Sequence, residues 1–161
     1  MSLCGFPNHS AMQAADSAGP GPDLCTEAEV ERLVHDFHAR VRADDLLGPL
    51  FAAHVHDWPG HLAQLVDFWS ALLRGTRRFR GQPVQRHLGL PGLDAALFDR
   101  WLLLFRTTTA ELGNPGLQRE ADTAAAQIAQ TLLQRYGPFR RCVEAGPPAA
   151  AMRRTAQDVP R

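Results

Sequence analysis

Seven histidines occur in this chain, at positions 9, 35, 38, 54, 56, 61 and 87. His38, His61 and His87 each lie among apolar residues. His9 falls in a polar leading segment, His54 and His56 in a stretch near Asp57, and His35 on a polar flank. An imidazole can ligate a metal, donate a hydrogen bond from one nitrogen, or accept one at the other. Alone, each apolar-flanked histidine reads as a hydrogen-bonded core residue. Three converging on one small core imply a shared use, because buried imidazoles need partners. Zinc is one such use, but structural zinc takes paired ligands at short spacing and these three come from separated segments. A planar cofactor, with a ligand on one face and polar residues on the other, fits better.

The elements that must position these histidines can be read from the periodicity. Thr26 followed by Glu29 forms a capping box that opens a helix to about Ala43. Its stripe is Val30, Leu33, Val34, Phe37 and Val41, with His38 on the stripe and His35 beside it. Residues 44–58 are expected to be irregular, with Gly48-Pro49 breaking any helix and tipping Leu50 and Phe51 inwards. Asp57 or Trp58 then caps a second helix, with Pro59 near its first position. Leu62, Leu65, Val66, Phe68, Trp69, Leu72 and Leu73 form its apolar face, and His61 shares the edge. RGTRRFRG, 74–81, is a basic loop.

His87 sits on a short segment fenced by Pro83 and Pro91-Gly92, and proline stiffens the backbone on both sides. Asp94 caps a third long helix to about Leu112, with Leu97, Phe98, Trp101, Leu104 and Phe105 inward. After the Asn114-Pro115-Gly116 turn, a last helix runs from about Leu117 to Tyr136. It uses Ala121, Ala124, Ala125, Ile128 and Leu132, and Gly137-Pro138 is expected to stop it. No segment has a strand's period of two. The class is all-α: residues 26–139 form one folded domain, flanked by disordered tails over 1–25 and 140–161.

Composition narrows the function classes. The 161 residues are 45% hydrophobic, and 17 basic residues, all arginine, balance 17 acidic ones. Neutral charge argues against nucleic acid as partner. No apolar run reaches the ~20 residues of a membrane span. MSLCGFPNHSAMQ has neither the basic start nor the apolar core of a signal peptide, so the cytoplasm is the expected location; a monomer is the expected state. Cys4, Cys25 and Cys142 are expected outside the core and build neither a disulfide framework nor a zinc ribbon. Without Cys-x-x-Cys-His there is no covalent c-type haem attachment. A folded part of this size has a modest core, which a bound cofactor would stabilise.

Three stretches carry a family resemblance. FHARVRADDLLGPLF, the spacing from Trp58 to His61 and on to Phe68-Trp69, and RGQPVQRHLGLPG…LFDRWLLLFRTT resemble the third group of truncated haemoglobins. The GQP-x-x-x-HL-x-LP run followed by F-x-x-WL-x-LF is the most specific of them, and the resemblance spans about residues 27–137. It implies a shortened globin fold, two helices over two, around a non-covalent haem b (iron protoporphyrin IX). His87 matches the proximal iron ligand, Phe51 the phenylalanine on the haem face, and His61 the distal histidine. Leu65 matches the next residue inward, Trp101 the tryptophan whose indole N–H points into the pocket, and Trp69 one at the haem edge. The same resemblance places Phe37, Leu47, Phe68, Leu88, Phe105 and Ile128 around the cofactor. Arg86, with Arg77, Arg78 and Arg80, is expected to meet the propionates.

One position departs from the family. Its members usually carry tyrosine after the phenylalanine of the first matched helix, where this chain reads Phe37-His38. Tyr136, the sole tyrosine, lies far along the last helix. The ligand-side donors expected are therefore His38, His61 and Trp101, in a network more pH-dependent than tyrosine would give. His61, or else His38, is also a possible sixth iron ligand. The function expected is reversible binding of oxygen, nitric oxide or carbon monoxide, with an electron-donating reductase as possible partner. Nitric oxide dioxygenase or peroxidase-like activity is open. The alternatives are a haem-based gas or redox sensor working through a separate partner, and a non-haem helical metal-binding or interaction domain.

Overall fold

A computed structural model describes residues 20–81 and 94–144, with side chains to residue 134. Among the described residues there are five helices and no strand: α1 (Glu27–Ala43), α2 (Leu47–His54), α3 (Trp58–Arg74), α4 (Ala95–Glu111) and α5 (Pro115–Glu144). The helix α1 packs on α2, α3 and α4, and α4 lies along α5, which also meets α3. The result is a two-over-two arrangement of α1 and α3 against α4 and α5.

The capping box of α1 forms as the sequence indicates. Thr26 Oγ1 accepts from the Glu29 N–H at 3.2 Å, and Glu29 Oε2 accepts from the Thr26 N–H at 2.7 Å. Two first-turn helix donors are thus satisfied reciprocally. Val30, Leu33, Val34, Phe37, His38 and Val41 are all buried along one stripe. Full burial of an apolar side chain such as Leu33 or Phe37 contributes roughly 1.5–3 kcal/mol.

The irregular stretch expected between Asp44 and Trp58 is instead mostly helix. Asp44 Oδ1 accepts from the N–H groups of Leu46 and Leu47 at 3.0 and 2.9 Å, which starts α2. Pro49 then falls in the first turn, where a missing N–H has no intrahelical partner to lose. Gly48 lies so close to α1 that a Cβ there would meet the Arg42 carbonyl oxygen at 2.9 Å. The Gly-Pro pair therefore fits a tight helix start.

Asp57 caps α3 by accepting from the Gly60 N–H at 3.0 Å, and Gly75 ends it at φ 70. Leu72, expected inward, is 38% exposed, because it lies about 100° round the helix from Leu73, past the buried stripe. Asp94 caps α4 through the Leu97 N–H at 3.0 Å. Asn114 does the same for α5 through the Leu117 N–H at 3.0 Å, with Pro115 at the first helical position. Ala121, Ala125 and Ala129 are buried on α5, small enough to bring it close to α4.

The helix α5 does not stop at Gly137-Pro138 but runs to Glu144. A proline disfavours helix at the preceding residue largely through that residue's Cβ, and Gly137 has none. The leading segment also departs from the expected tail at its end. Leu24 and Cys25 are buried, Gly21 N–H donates to the Leu73 carbonyl at 2.9 Å, and Arg74 Nε donates to the Cys25 carbonyl at 3.0 Å. Cys25 thus belongs to the core, held by contacts distant in sequence.

Candidate functional site

Phe37 and His38 are adjacent on α1, and both fall on its broad buried stripe. Phe37 meets three rings edge-on: His38 at 4.9 Å between centroids, Trp101 at 5.4 Å and Phe105 at 5.1 Å. Beyond it, Trp101, Phe105 and Trp69 form a near-parallel column. Trp101 stacks on Phe105 at 5.4 Å and Phe105 on Trp69 at 4.9 Å. The turn spacing of Trp101 and Phe105 on α4 builds one part of this column, and α3 supplies Trp69.

On its other side His38 meets His61 at 5.6 Å, Phe51 at 6.2 Å and Trp58 at 6.4 Å. Trp58 lies edge-on to His61 at 5.8 Å and parallel to Phe51 at 6.5 Å, with the Arg42 guanidinium 4.7 Å from its ring centroid. His38 therefore sits between an aromatic column and a smaller ring cluster drawn from α2 and the first turn of α3. His61, Phe51 and Trp101 are only partly buried, while Phe37, Trp69 and Phe105 are deeply so.

The His38 ring has a defined polarity. Its Nδ1 lies 2.8 Å from the Val34 carbonyl oxygen, one turn back on α1. A carbonyl can only accept, so Nδ1 carries the hydrogen and donates it. Burial pushes the pKa of His38 down to about 4. The Val34 hydrogen bond opposes this shift, and nearby His61 and His35 add to it. Burial thus favours the neutral ring, in which Nε2 carries no hydrogen and is an acceptor.

The remaining expected residues divide into three sets. Leu47 is fully buried beneath α2, and Leu65, Phe68 and Ile128 are partly buried against the core. Phe68 meets Trp69 edge-on at 5.5 Å and Phe79 at 5.2 Å. His87, Arg86 and Leu88 lie outside the described residues, so the proximal side is not among them. His35 and His56 are exposed, and His54 ends α2, donating from Nδ1 to the Leu50 carbonyl at 2.8 Å. Among the described residues no cluster of three His, Cys, Asp or Glu could hold a metal ion, and no helix is long and apolar enough to cross a membrane.

The arginines are only partly available for propionates. Arg78 pairs with Glu27 and, at 3.2 Å, with Asp67, while Arg74 pairs with Glu27 at 2.9 Å. Arg77 and Arg80 remain exposed on the same loop. Sequence reasoning missed two supports of the site. Arg42 covers Trp58, and Arg100 Nε lies 2.7 Å from Asp44 Oδ2. The Asp44 signal was present, since an aspartate ahead of Leu-Leu-Gly-Pro is a first-turn acceptor.

Comparison with known proteins bears on what this pocket holds. Residues 23–134 match the bacterial-like globin family. Group 3 truncated hemoglobin ctb from Campylobacter jejuni is 32% identical over 124 residues, covering 71% of this chain and 96% of that protein. The crystal structure of group III truncated hemoglobin from Campylobacter jejuni superposes with a TM-score of 0.57 at 31% identity. It covers 67% of this chain and 91% of its own.

Proposed function

This chain belongs to the bacterial-like globin family, as a group III truncated haemoglobin, and from that premise we propose that it binds haem b non-covalently and uses it to bind diatomic gases reversibly. Membership of the globins implies haem. The type of haem and its attachment are our reading, as is His87 as the proximal ligand. Haem iron held by one histidine supplies an open sixth position for oxygen, nitric oxide or carbon monoxide.

The described residues fit such a group. The observation that carries the reading is the run of ring contacts that joins three nitrogen-bearing rings, His61 to His38, His38 to Phe37 and Phe37 to Trp101. Phe51, Leu65, Phe68 and Trp101 leave apolar area partly open there, which a flat hydrophobic ring system would cover. The polar groups are few and uncharged, as a low-dielectric ligand pocket requires. Within it, His61 and the Trp101 indole act as donors that hold and orient the ligand. A buried donor of this kind contributes on the order of 1–3 kcal/mol, or about tenfold to a hundredfold in ligand retention. Phe37 and Phe105 exclude water and fix the Trp101 ring, Phe105 by stacking on it and Phe37 by meeting it edge-on. Exposed Arg77 and Arg80 are the described cations nearest in sequence to the proximal segment and are assigned to the propionates.

Absorption spectra of the purified protein, ferric, ferrous and with carbon monoxide, test the proposal. A Soret band that is lost in His87→Ala supports it. A colourless protein that takes up no haemin overturns it in favour of a plain helical interaction domain.

A further inference from the structure

We propose that His38 presents a hydrogen-bond acceptor to the ligand pocket, so that the pocket favours small ligands bringing their own proton, such as hydrogen sulfide or hydrogen peroxide, over dioxygen. The proposal rests on the haem reading above and adds to it the chemical class of ligand preferred.

The argument starts from one bond. The Val34 carbonyl takes the only hydrogen of the neutral His38 ring, at Nδ1. The opposite nitrogen, Nε2, then has a lone pair and nothing to donate. The other tautomer, with the hydrogen on Nε2, would set the Nδ1 lone pair against the Val34 carbonyl oxygen inside a buried site, where a lost donor is costly. Phe37 and Phe51, beside it, carry no polar atom, so what reaches Nε2 must be a donor: His61, Trp58 or a ligand.

A tyrosine at this position would offer an O–H to whatever occupies the pocket. His38 offers the reverse polarity at a similar place. Dioxygen has no hydrogen to give, so it gains nothing from the lone pair and forfeits the donor a tyrosine supplies. Hydrogen peroxide and hydrogen sulfide each bring a hydrogen that Nε2 can accept. Specificity of this kind comes from matching donor to acceptor, since an unmatched buried polar group penalises the wrong ligand.

Two measurements test this on the haem-loaded protein. The first is 15N spectroscopy of the ferrous carbon monoxide form, with His38 assigned by comparison with His38→Leu. It should show Nδ1 protonated and Nε2 bare. The second compares ligands across His38→Leu and His38→Tyr. Hydrogen sulfide is titrated into the ferric protein in mildly acidic buffer, and dioxygen dissociation is followed from the ferrous protein. His38→Leu should weaken sulfide about fivefold and leave dioxygen release within about twofold. His38→Tyr should slow dioxygen release about tenfold or more. A protonated Nε2, or tenfold faster dioxygen loss in His38→Leu, overturns the proposal alone. A protein that binds no haem overturns the haem reading and this proposal together.

Discussion

Asp44 holds two elements with one carboxylate: Oδ1 receives the first N–H groups of α2, and Oδ2 receives Arg100 from α4 at 2.7 Å. The Leu47 N–H, followed by the Arg100 guanidinium, holds its carboxyl below the usual range. A carboxylate with a lowered folded-state pKa stabilises the protein above its unfolded value, about 4, and that stability is lost as pH falls through the folded value. Asp44→Asn keeps the cap and loses the charge, so it should cost about 1 kcal/mol at pH 7. It should also flatten the acid limb of the stability curve. Asp44→Ala removes the cap too and should cost about 2 kcal/mol. Denaturant melts at neutral and acid pH check both. An acid limb identical in wild type and Asp44→Asn would disprove the assignment.

Phe105 is fully buried between Trp101 and Trp69, with Phe37 edge-on. Phe105→Ala should destabilise the fold by about 3–5 kcal/mol through lost burial and the cavity left behind. Phe105→Leu should cost well under half of that. In both variants, near-ultraviolet circular dichroism of the tryptophans should weaken, since the column loses its middle ring. A Phe105→Ala protein with unchanged melting and unchanged tryptophan signal would show that the column carries no packing energy.

The helices that open on a polar cap were legible from local chemistry: Thr26 with Glu29, Asp57 and Asp94 each announce a start. The helix α2 was not, because Gly48-Pro49 reads as a breaker until Asp44 is seen to satisfy its first turn. Burial of Leu24 and Cys25 was invisible for a different reason. It depends on Leu73, Arg74 and Asn114, none of them near in sequence. Among the described residues the expected rings are linked in a chain, His38 and Trp101 each meeting Phe37 and His61 meeting His38. The polarity of His38 was not legible, because it is set by a backbone carbonyl and not by a side chain.

Burial also governs Cys25, pushing its thiol up to about 11, with Glu29 adding to the shift and Arg74 opposing it. The thiolate is the reactive form, so folded Cys25 should resist alkylation at neutral pH. In a Cys4→Ser, Cys142→Ser background, modification by a thiol reagent should be at least about a hundredfold slower than in denaturant. Equal rates in the two conditions would place Cys25 at the surface.

His61 stands in the first turn of α3, partly buried and in ring contact with both His38 and Trp58. Imidazole is a strong iron ligand, and His61 is the partly buried imidazole of the ring cluster, whereas His38 lies deep in the core. When no gas is present, His61 is therefore the side chain expected to occupy the sixth position. The ferrous protein should show a six-coordinate low-spin spectrum that becomes five-coordinate in His61→Leu and is retained in His38→Leu. Carbon monoxide should bind faster in His61→Leu, because no internal ligand has to leave first. A wild-type ferrous spectrum that is wholly five-coordinate, and the same in His61→Leu, would sink the idea and leave His61 as a hydrogen-bond donor alone.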